Sequence, residues 1–203
     1  NAAILPNVVD LDRFQARGPR NDHTARLLVA RNLEPLYDNQ TALRAFSRIL
    51  ERHPQATLTI AGSGPEEARL KEVAAELGVE ARVQFAGRVD RDTMARLYRE
   101  SDVVLNPSLA DNMPNSLLEA MASGVPIVST NVGGVPFMVQ QGVSAMLVPP
   151  SDPVAMAEAA IRLLDDLTLW QRLSATGLAE ARRYTWQRVA PTLATLYRSA
   201  LAD

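Results

Sequence analysis

The amino-acid sequence predicts an α/β protein with a doubly wound, six-stranded parallel sheet of the Rossmann-like type, followed by C-terminal helices. Short segments rich in apolar and β-branched residues alternate with segments of helical period, as is typical of such sheets. The short segments are almost continuously apolar, as expected of parallel strands that are covered on both faces. After Asp152 only the helical period remains, so we expect the last helices to follow the sheet.

The predicted strands and helices alternate along the first three quarters of the chain. The strands are Ala25–Arg31, Thr57–Ala61, Arg82–Ala86, Asp102–Asn106, Pro126–Thr130 and Ser144–Val148. The helices between them are Gln40–Glu51, Glu66–Leu77, Asp92–Glu100, Ser116–Ser123 and Pro136–Gln141. Three further helices are predicted at Val154–Asp165, Leu169–Tyr184 and Trp186–Ala202. The first of these has a standard start signal, with Pro153 at its first position and Asp152 before it.

The composition limits the classes of function that need to be considered. A chain of 203 residues with 47% hydrophobic content can form one sizeable core. Its net charge of −2 gives no general attraction for nucleic acid or for an anionic membrane surface. The absence of cysteine excludes disulfides and thiolate metal sites. There is no signal-peptide-like segment and no apolar run of about 20 residues, so we expect a cytoplasmic protein.

Candidate ligand-binding residues follow the first five predicted strands. In a doubly wound sheet, ligands bind beyond the carboxyl ends of the strands, where these loops converge. We therefore expect one ligand site at this edge of the sheet. In strand order, the loops contain Arg31, Gly62-Ser-Gly64, Gly87-Arg88, Asp111 and Gly133-Gly134.

The fourth of these loops carries two carboxylates eight positions apart, Asp111 and Glu119. The loop turns directly into a helix, and the first N–H groups of a helix attract phosphate. One acid in the loop and one inside the helix suit the binding of a nucleotide sugar. A structural alternative exists for the second acid, because Ser116 and Glu119 have the spacing of a helix capping box.

The segment from Asp111 to Pro126, with Asn106-Pro-Ser108 before it and residues 129–134 after it, resembles the donor-binding half of retaining GT-B glycosyltransferases of family 4. The family pair is usually two glutamates, whereas the first acid here is Asp111. The resemblance implies transfer of a sugar from a nucleotide diphosphate sugar, with a UDP-sugar as the first guess, to a hydroxyl acceptor. It implies no metal ion and no other cofactor.

The resemblance also assigns roles to individual residues. It implies that Arg31 contacts the diphosphate, that Glu119 accepts the ribose hydroxyls, and that Asp111 contacts a hydroxyl of the donor sugar; these three are the candidate catalytic residues. The remaining candidates would line the donor: Gly62, Gly64 and Arg88 near the base, Asn112, Met113, Pro114, Asn115 and Ser116 near the sugar and phosphate, and Gly133 and Gly134 beyond them.

Two positions depart from the family pattern. The family places a lysine five or six residues after the arginine, but this sequence has none there. We expect either Asn39 or Gln40 to supply a neutral donor, or an arginine to enter from outside the domain. Where the family often has a glutamate after the glycine pair, this chain has Phe137.

The resemblance divides the chain into three parts and indicates that it is the C-terminal half of a longer protein. Residues 1–24 would be an interdomain linker with the strand that enters the domain, residues 25–185 the donor-binding domain, and residues 186–203 a helix that crosses to an N-terminal domain. The expected partners are that domain, a nucleotide sugar, and a carbohydrate or lipid-linked acceptor, without nucleic acid. The alternative hypothesis is a non-catalytic nucleotide- or sugar-binding module derived from the same fold.

Overall fold

The computed structural model describes residues 5–16 and 24–202 and contains one parallel sheet of six strands. The strands are β1 (Arg26–Ala30), β2 (Thr57–Ala61), β3 (Val83–Gly87), β4 (Val103–Asn106), β5 (Ile127–Thr130) and β6 (Met146–Val148). Their order is β3-β2-β1-β4-β5-β6, and every neighbouring pair is parallel. This order confirms the predicted doubly wound Rossmann-like fold.

Eight α-helices occur in the described part of the chain. They are α1 (Asn39–Arg52), α2 (Glu67–Glu76), α3 (Arg91–Glu100), α4 (Asn115–Ala122), α5 (Val135–Met138), α6 (Pro153–Asp165), α7 (Leu167–Ala181) and α8 (Trp186–Ala202). Short 3₁₀ turns lie at Pro35–Tyr37, Glu80–Arg82 and Arg182–Tyr184. Among these residues no helix combines the length and apolar character needed to cross a membrane.

The sheet is covered on both faces, as its apolar strands predicted. Along β1 the side chains alternate between two cores. Leu27 and Val29 contribute to one core with Phe46 of α1, and Leu28 contributes to the other with Leu117 of α4. This burial fixes the register of β1 in the centre of the sheet, where β2 and β4 flank it.

Two predicted elements near residue 140 are shorter than expected. The helix predicted at Pro136–Gln141 ends at Met138, because Val139 has an extended backbone. The N–H of Gln140 then donates to the Ser144 hydroxyl at 2.9 Å. Residues 140–145 therefore form a turn, and β6 begins at Met146 instead of at Ser144.

Residues 5–16 contain turns and no strand, while residues 1–4 and 17–23 of the predicted linker lie outside the described residues. This segment is docked onto the domain, because the N–H of Val9 donates to the carbonyl of Tyr184 at 2.8 Å. Asp10 closes the turn, since its Oδ1 accepts from the N–H groups of Asp12 and Arg13 at 3.0 and 3.2 Å. The Asp-Leu-Asp sequence thus has a structural explanation in this turn.

The predicted start of α6 is confirmed and can be tested by mutation. The Asp152 carboxylate accepts from the Ala155 N–H at 2.9 Å, and Pro153 is the first helical residue. We expect Asp152→Ala to lower the free energy of unfolding by about 1 kcal/mol, because one helix N–H loses its partner. Glu158→Ala, on the exposed side of the same helix, should change it by less than about 0.5 kcal/mol. Chemical denaturation would measure both, and equal effects would contradict the capping role.

Candidate functional site

Arg31 lies directly after β1 and is held by several partners. Its Nε and Nη2 atoms donate to the Ser108 hydroxyl at 3.1 and 3.0 Å, and its Nη2 atom forms an ion pair with Asp111. Its guanidinium carbon lies 4.5 Å from the centre of the Tyr37 ring, which is cation–π geometry. These contacts fix the plane of the guanidinium at the edge of the sheet.

The ion pair with Asp111 is largely buried, since its two side chains are 10% and 13% exposed. Burial lowers the pKa of Arg31 from its usual value, and the nearby hydroxyls of Tyr37 and Tyr98 act in the opposite direction. Arginine nevertheless stays protonated in proteins. Both residues were predicted to contact a ligand, but in this structure they bind each other. The sequence did not predict this ion pair.

A buried network of polar side chains at the ends of β4 and β5 holds the hydroxyl group that binds Arg31. The Ser108 hydroxyl donates to the Asn106 side chain at 3.2 Å, and the Asn106 amide donates to the Ser129 hydroxyl at 2.8 Å. The Thr130 hydroxyl donates to the Ser108 carbonyl at 2.6 Å. All four residues are buried at the ends of β4 and β5. These four residues were not among the predicted site residues, although polar residues at the ends of two apolar strands are a signal that the sequence contains.

The two glycine pairs allow neighbouring loops to approach closely. A Cβ atom on Gly62 would lie 1.9 Å from the Arg31 carbonyl oxygen, and one on Gly64 would lie 2.4 Å from that of Leu33. A Cβ atom on Gly134 would lie 1.6 Å from the carbonyl oxygen of Asn112. Gly133 also has a φ of +51°, which favours glycine, and packs in the same way on Asp111. The glycines therefore position the loops that carry Arg31 and Asp111.

Glu119 lies in the second turn of α4 beside a buried tyrosine. The Tyr98 hydroxyl donates to the carbonyl of Ser116, one turn before Glu119, at 3.1 Å. Burial raises the pKa of Glu119, and the Tyr98 hydroxyl and the charge of Arg91 offset part of this increase. Glu119, Arg91 and Asn115 line a cavity of about 510 Å³ together with residues 8–14. Arg91 was not among the predicted site residues.

Asp111 lies in a different cavity, of about 970 Å³. The walls of this cavity are mainly apolar and include Leu36, Tyr37, Met113 and Phe137. The ring of Phe137 is 89% exposed. The structure thus brings Arg31 and Asp111 together, whereas Asp111 and Glu119 line separate cavities.

The start of α4 differs from the prediction. The helix begins at Asn115, and Pro114 precedes it with no side-chain cap. Ser116 is therefore already the second helical residue, so the capping box that was the structural alternative for Glu119 does not form. The Ser116 hydroxyl is buried and has no hydrogen-bond partner among the residues that the structure describes. The Leu117 N–H donates to the Pro114 carbonyl at 3.1 Å. The first N–H groups of a helix have no partners within it, so those of Asn115 and Ser116 remain available to an anion.

The remaining predicted site residues surround these groups. Asn112 and Asn115 are exposed, and the Met113 carbonyl accepts from the Asn7 amide at 2.9 Å. Arg88 follows β3 and is exposed. Gly62, Gly64, Gly133 and Gly134 all lie at the carboxyl edge of the sheet, in loops that follow β2 and β5.

Both predicted substitutes for the family lysine make hydrogen bonds within the domain. The Asn39 amide nitrogen donates to the Asn32 carbonyl at 2.9 Å. The Gln40 amide, oriented by its hydrogen bonds, accepts from Arg44 at 2.9 Å. Lys71 is on the exposed surface of α2, where it pairs with Glu67 at 2.6 Å. Within residues 5–16 and 24–202 no group of three or more His, Asp or Glu side chains could hold a metal ion.

Comparison with known sequences identifies the family. Residues 25–166 match the sequence profile of the glycosyl transferases group 1 family. The chain belongs to this family. A D-inositol 3-phosphate glycosyltransferase of Corynebacterium glutamicum is 31% identical over 187 residues, which are 89% of this chain and 45% of that protein. An uncharacterized glycosyltransferase of Methanocaldococcus jannaschii is 34% identical over 160 residues, 78% of this chain and 41% of that protein.

Solved structures of glycosyltransferases share the fold. Sucrose-phosphate synthase from Thermosynechococcus elongatus superposes with a TM-score of 0.87 at 26% identity, over 98% of this chain and 52% of that one. The C-terminal domain of a group 1 glycosyl transferase from Francisella tularensis gives a TM-score of 0.78 at 20% identity, over 87% of this chain and 98% of that domain. This glycosyl transferase group 1 chain thus has the fold of a GT-B C-terminal region, and it spans about half the length of the relatives it matches.

The close approach at Gly134 predicts opposite effects for two glycine substitutions. Gly134→Ala should lower the free energy of unfolding by about 1–3 kcal/mol, because its methyl group collides with the Asn112 backbone. Gly177→Ala in α7 should raise it by up to about 1 kcal/mol, since the new methyl group would lie 3.5 Å from Met121 and the helix gains propensity. Urea denaturation of both variants would test this, and a stable Gly134→Ala protein would contradict the packing role.

Proposed function

We propose that this chain is the donor-binding half of a retaining, metal-independent family 4 glycosyltransferase. It would transfer a sugar from a nucleotide diphosphate sugar to a hydroxyl acceptor, and it would work in the cytoplasm. The observation that carries the proposal is the meeting of Arg31 and Asp111 at the switch point between β1 and β4, beside the N-terminus of α4. A switch point is where doubly wound sheets bind ligands.

Arg31 is the proposed diphosphate ligand. Its Nε and Nη2 groups are occupied by Ser108 and Asp111, and no hydrogen bond to its Nη1 group occurs within the described residues. In this proposal Nη1 is the group that would donate to a phosphate oxygen. The diphosphate would also compete with Asp111 for Nη2, which would release the carboxylate to bind a hydroxyl of the donor sugar.

Glu119 is the proposed ligand of the ribose hydroxyls. Its carboxylate is only partly exposed and faces a cavity large enough for part of a nucleoside. A charged acceptor in a partly desolvated position forms strong hydrogen bonds with hydroxyl donors. Arg91 lines the same cavity and adds a cation near the nucleoside.

Stabilisation of the leaving diphosphate would come from Arg31 and from the first N–H groups of α4. Both are positioned before the reaction, so they need little reorganisation as charge develops on the leaving group. No enzymic nucleophile is evident in the sequence. Retention would therefore proceed on the donor face, with the leaving phosphate helping to deprotonate the acceptor hydroxyl.

The relatives support a UDP-sugar as the first donor to test. Structures of the Anabaena protein HepE contain UDP, UDP with glucose, and UDP-glucose, and the UDP complex superposes on this chain with a TM-score of 0.87 at 20% identity. The acceptor would be bound largely by the other half of the protein. A carbohydrate or lipid-linked hydroxyl is the proposed acceptor class, and a binding module without transferase activity is the competing hypothesis.

Ligand-induced stabilisation tests the proposed function. A ligand that binds only the native state raises the melting temperature by mass action. UDP, GDP, ADP and their sugars should be compared with NAD on the parent chain and on Glu119→Gln. We expect stabilisation by a nucleoside diphosphate that the variant largely loses, and stabilisation by NAD alone would overturn the proposal. A transfer assay on the full-length protein would then separate an enzyme from a binding module.

Arg31→Lys tests the diphosphate contact, because it retains the charge but removes the guanidinium fork. We expect the affinity for UDP to fall about tenfold or more, whereas the affinity for uridine should not change. Arg48→Lys, on the exposed side of α1, is the matched control and should leave both affinities unchanged. Isothermal titration calorimetry would measure them, and an equal loss for UDP and uridine would assign Arg31 a structural role instead.

A further inference from the structure

The predicted linker forms part of the wall of both cavities. Residues 5–7 line the cavity that contains Asp111, and residues 8–14 line the cavity that contains Glu119. Asn7 therefore lies where the linker passes from one cavity to the other. A contact that fixes the linker at this point also fixes the boundary between the two halves of the proposed donor site.

Asn7 ties the linker to the loop between the two carboxylates. Its side-chain Nδ2 donates to the Met113 carbonyl at 2.9 Å, and its backbone N–H donates to the Met113 Sδ at 3.1 Å. Met113 lies midway between Asp111 and Asn115, the first residue of α4. The start of this loop is held separately, because the Gly134 N–H donates to the Asp111 carbonyl at 2.8 Å. The two bonds from Asn7 hold its middle.

Contacts further along the linker keep it against the domain. The Val9 N–H donates to the Tyr184 carbonyl at 2.8 Å. The Phe14 side chain is buried, and its ring contacts the Tyr98 ring edge to face, with centroids 5.9 Å apart. Asn7 itself is exposed, so water competes for its amide. Because the neighbouring backbone is already held, the bond from Asn7 to the loop orders little additional chain.

We propose that Asn7 is a positioning residue that holds the loop around Met113 in its donor-binding arrangement. This role rests on the proposed function, in which the loop carries Asp111 to the donor sugar and leads into the N-terminus of α4, which binds the diphosphate. A displacement at Met113 would move the loop that joins these two groups. Asn7 acts on the donor through the Met113 backbone.

Asn7→Leu isolates the side-chain amide, because leucine has a similar volume and the backbone N–H stays in place. Gln15→Leu is the matched control, since Gln15 lines neither cavity and its side-chain amide donates to the Asp12 carbonyl at 2.8 Å. The readout is the ¹³C NMR signal of the Met113 methyl group in the ligand-free protein, assigned with Met113→Leu among the six methionines. We expect it to move to the value of a freely rotating methionine in Asn7→Leu and to stay unchanged in Gln15→Leu. An unchanged signal in Asn7→Leu would overturn the inference, whether or not the chain binds a nucleotide.

Isothermal titration calorimetry adds a second readout. We expect Asn7→Leu to bind UDP and UDP-glucose about fivefold more weakly than the parent, because the loop no longer presents its groups in a fixed arrangement. The affinity for uridine, which lacks the diphosphate and the sugar, should not change, and Gln15→Leu should leave all three affinities unchanged. Equal losses for UDP and uridine, or an unchanged UDP affinity, would overturn the positioning role. A parent chain that binds none of these ligands would overturn the proposed function, and the Met113 signal would still decide whether Asn7 holds the loop.

Discussion

The ion pair between Arg31 and Asp111 is the interaction on which the geometry of this site depends. It joins the loops after β1 and β4, the two strands between which the sheet reverses its order. Burying two charges is costly unless their remaining hydrogen-bonding groups are also satisfied. Ser108 and the Tyr37 ring provide part of this compensation for the guanidinium. The pair therefore fixes both loops in one arrangement, and the direction of α4 follows from the loop that carries Asp111.

The glycines next to this pair are explained by the same constraint. The family resemblance implied that Gly62, Gly64, Gly133 and Gly134 line the donor, and in the structure each of them lies against the backbone of a loop that carries Arg31 or Asp111. Even a methyl group at these positions would displace a carbonyl oxygen that belongs to the site. Glycine is therefore required here even without any contact to a ligand. A contact with the donor would be an additional role, because these loops also form the edge at which ligands of such sheets bind.

The sequence predicted the architecture better than it predicted the site. Strand segments are recognisable because burial on both faces makes them continuously apolar, and Leu27, Leu28 and Val29 illustrate this in β1. The capping box that was the structural alternative for Glu119 does not form, because the N-cap of α4 is Pro114 and not Ser116, and local patterns do not resolve a difference of two residues. The Arg31–Asp111 ion pair and the hydrogen bond from Tyr98 to the Ser116 carbonyl join residues that are distant in sequence. Nothing in a single sequence indicates which of many charged or aromatic residues will meet in the fold.

The separation of Asp111 and Glu119 into two cavities fits the charge pattern of a nucleotide sugar better than a single pocket would. Such a molecule has an anionic diphosphate between two neutral ends, the nucleoside and the sugar, which both carry hydroxyl donors. The site has the complementary order, because Arg31 and the N-terminus of α4 lie near the loop that separates the two carboxylates. Two carboxylates in one pocket with the diphosphate would repel it. With one acid on either side, each carboxylate would accept hydroxyl groups of the proposed nucleotide sugar, and Arg31 and the N-terminus of α4 would bind its diphosphate.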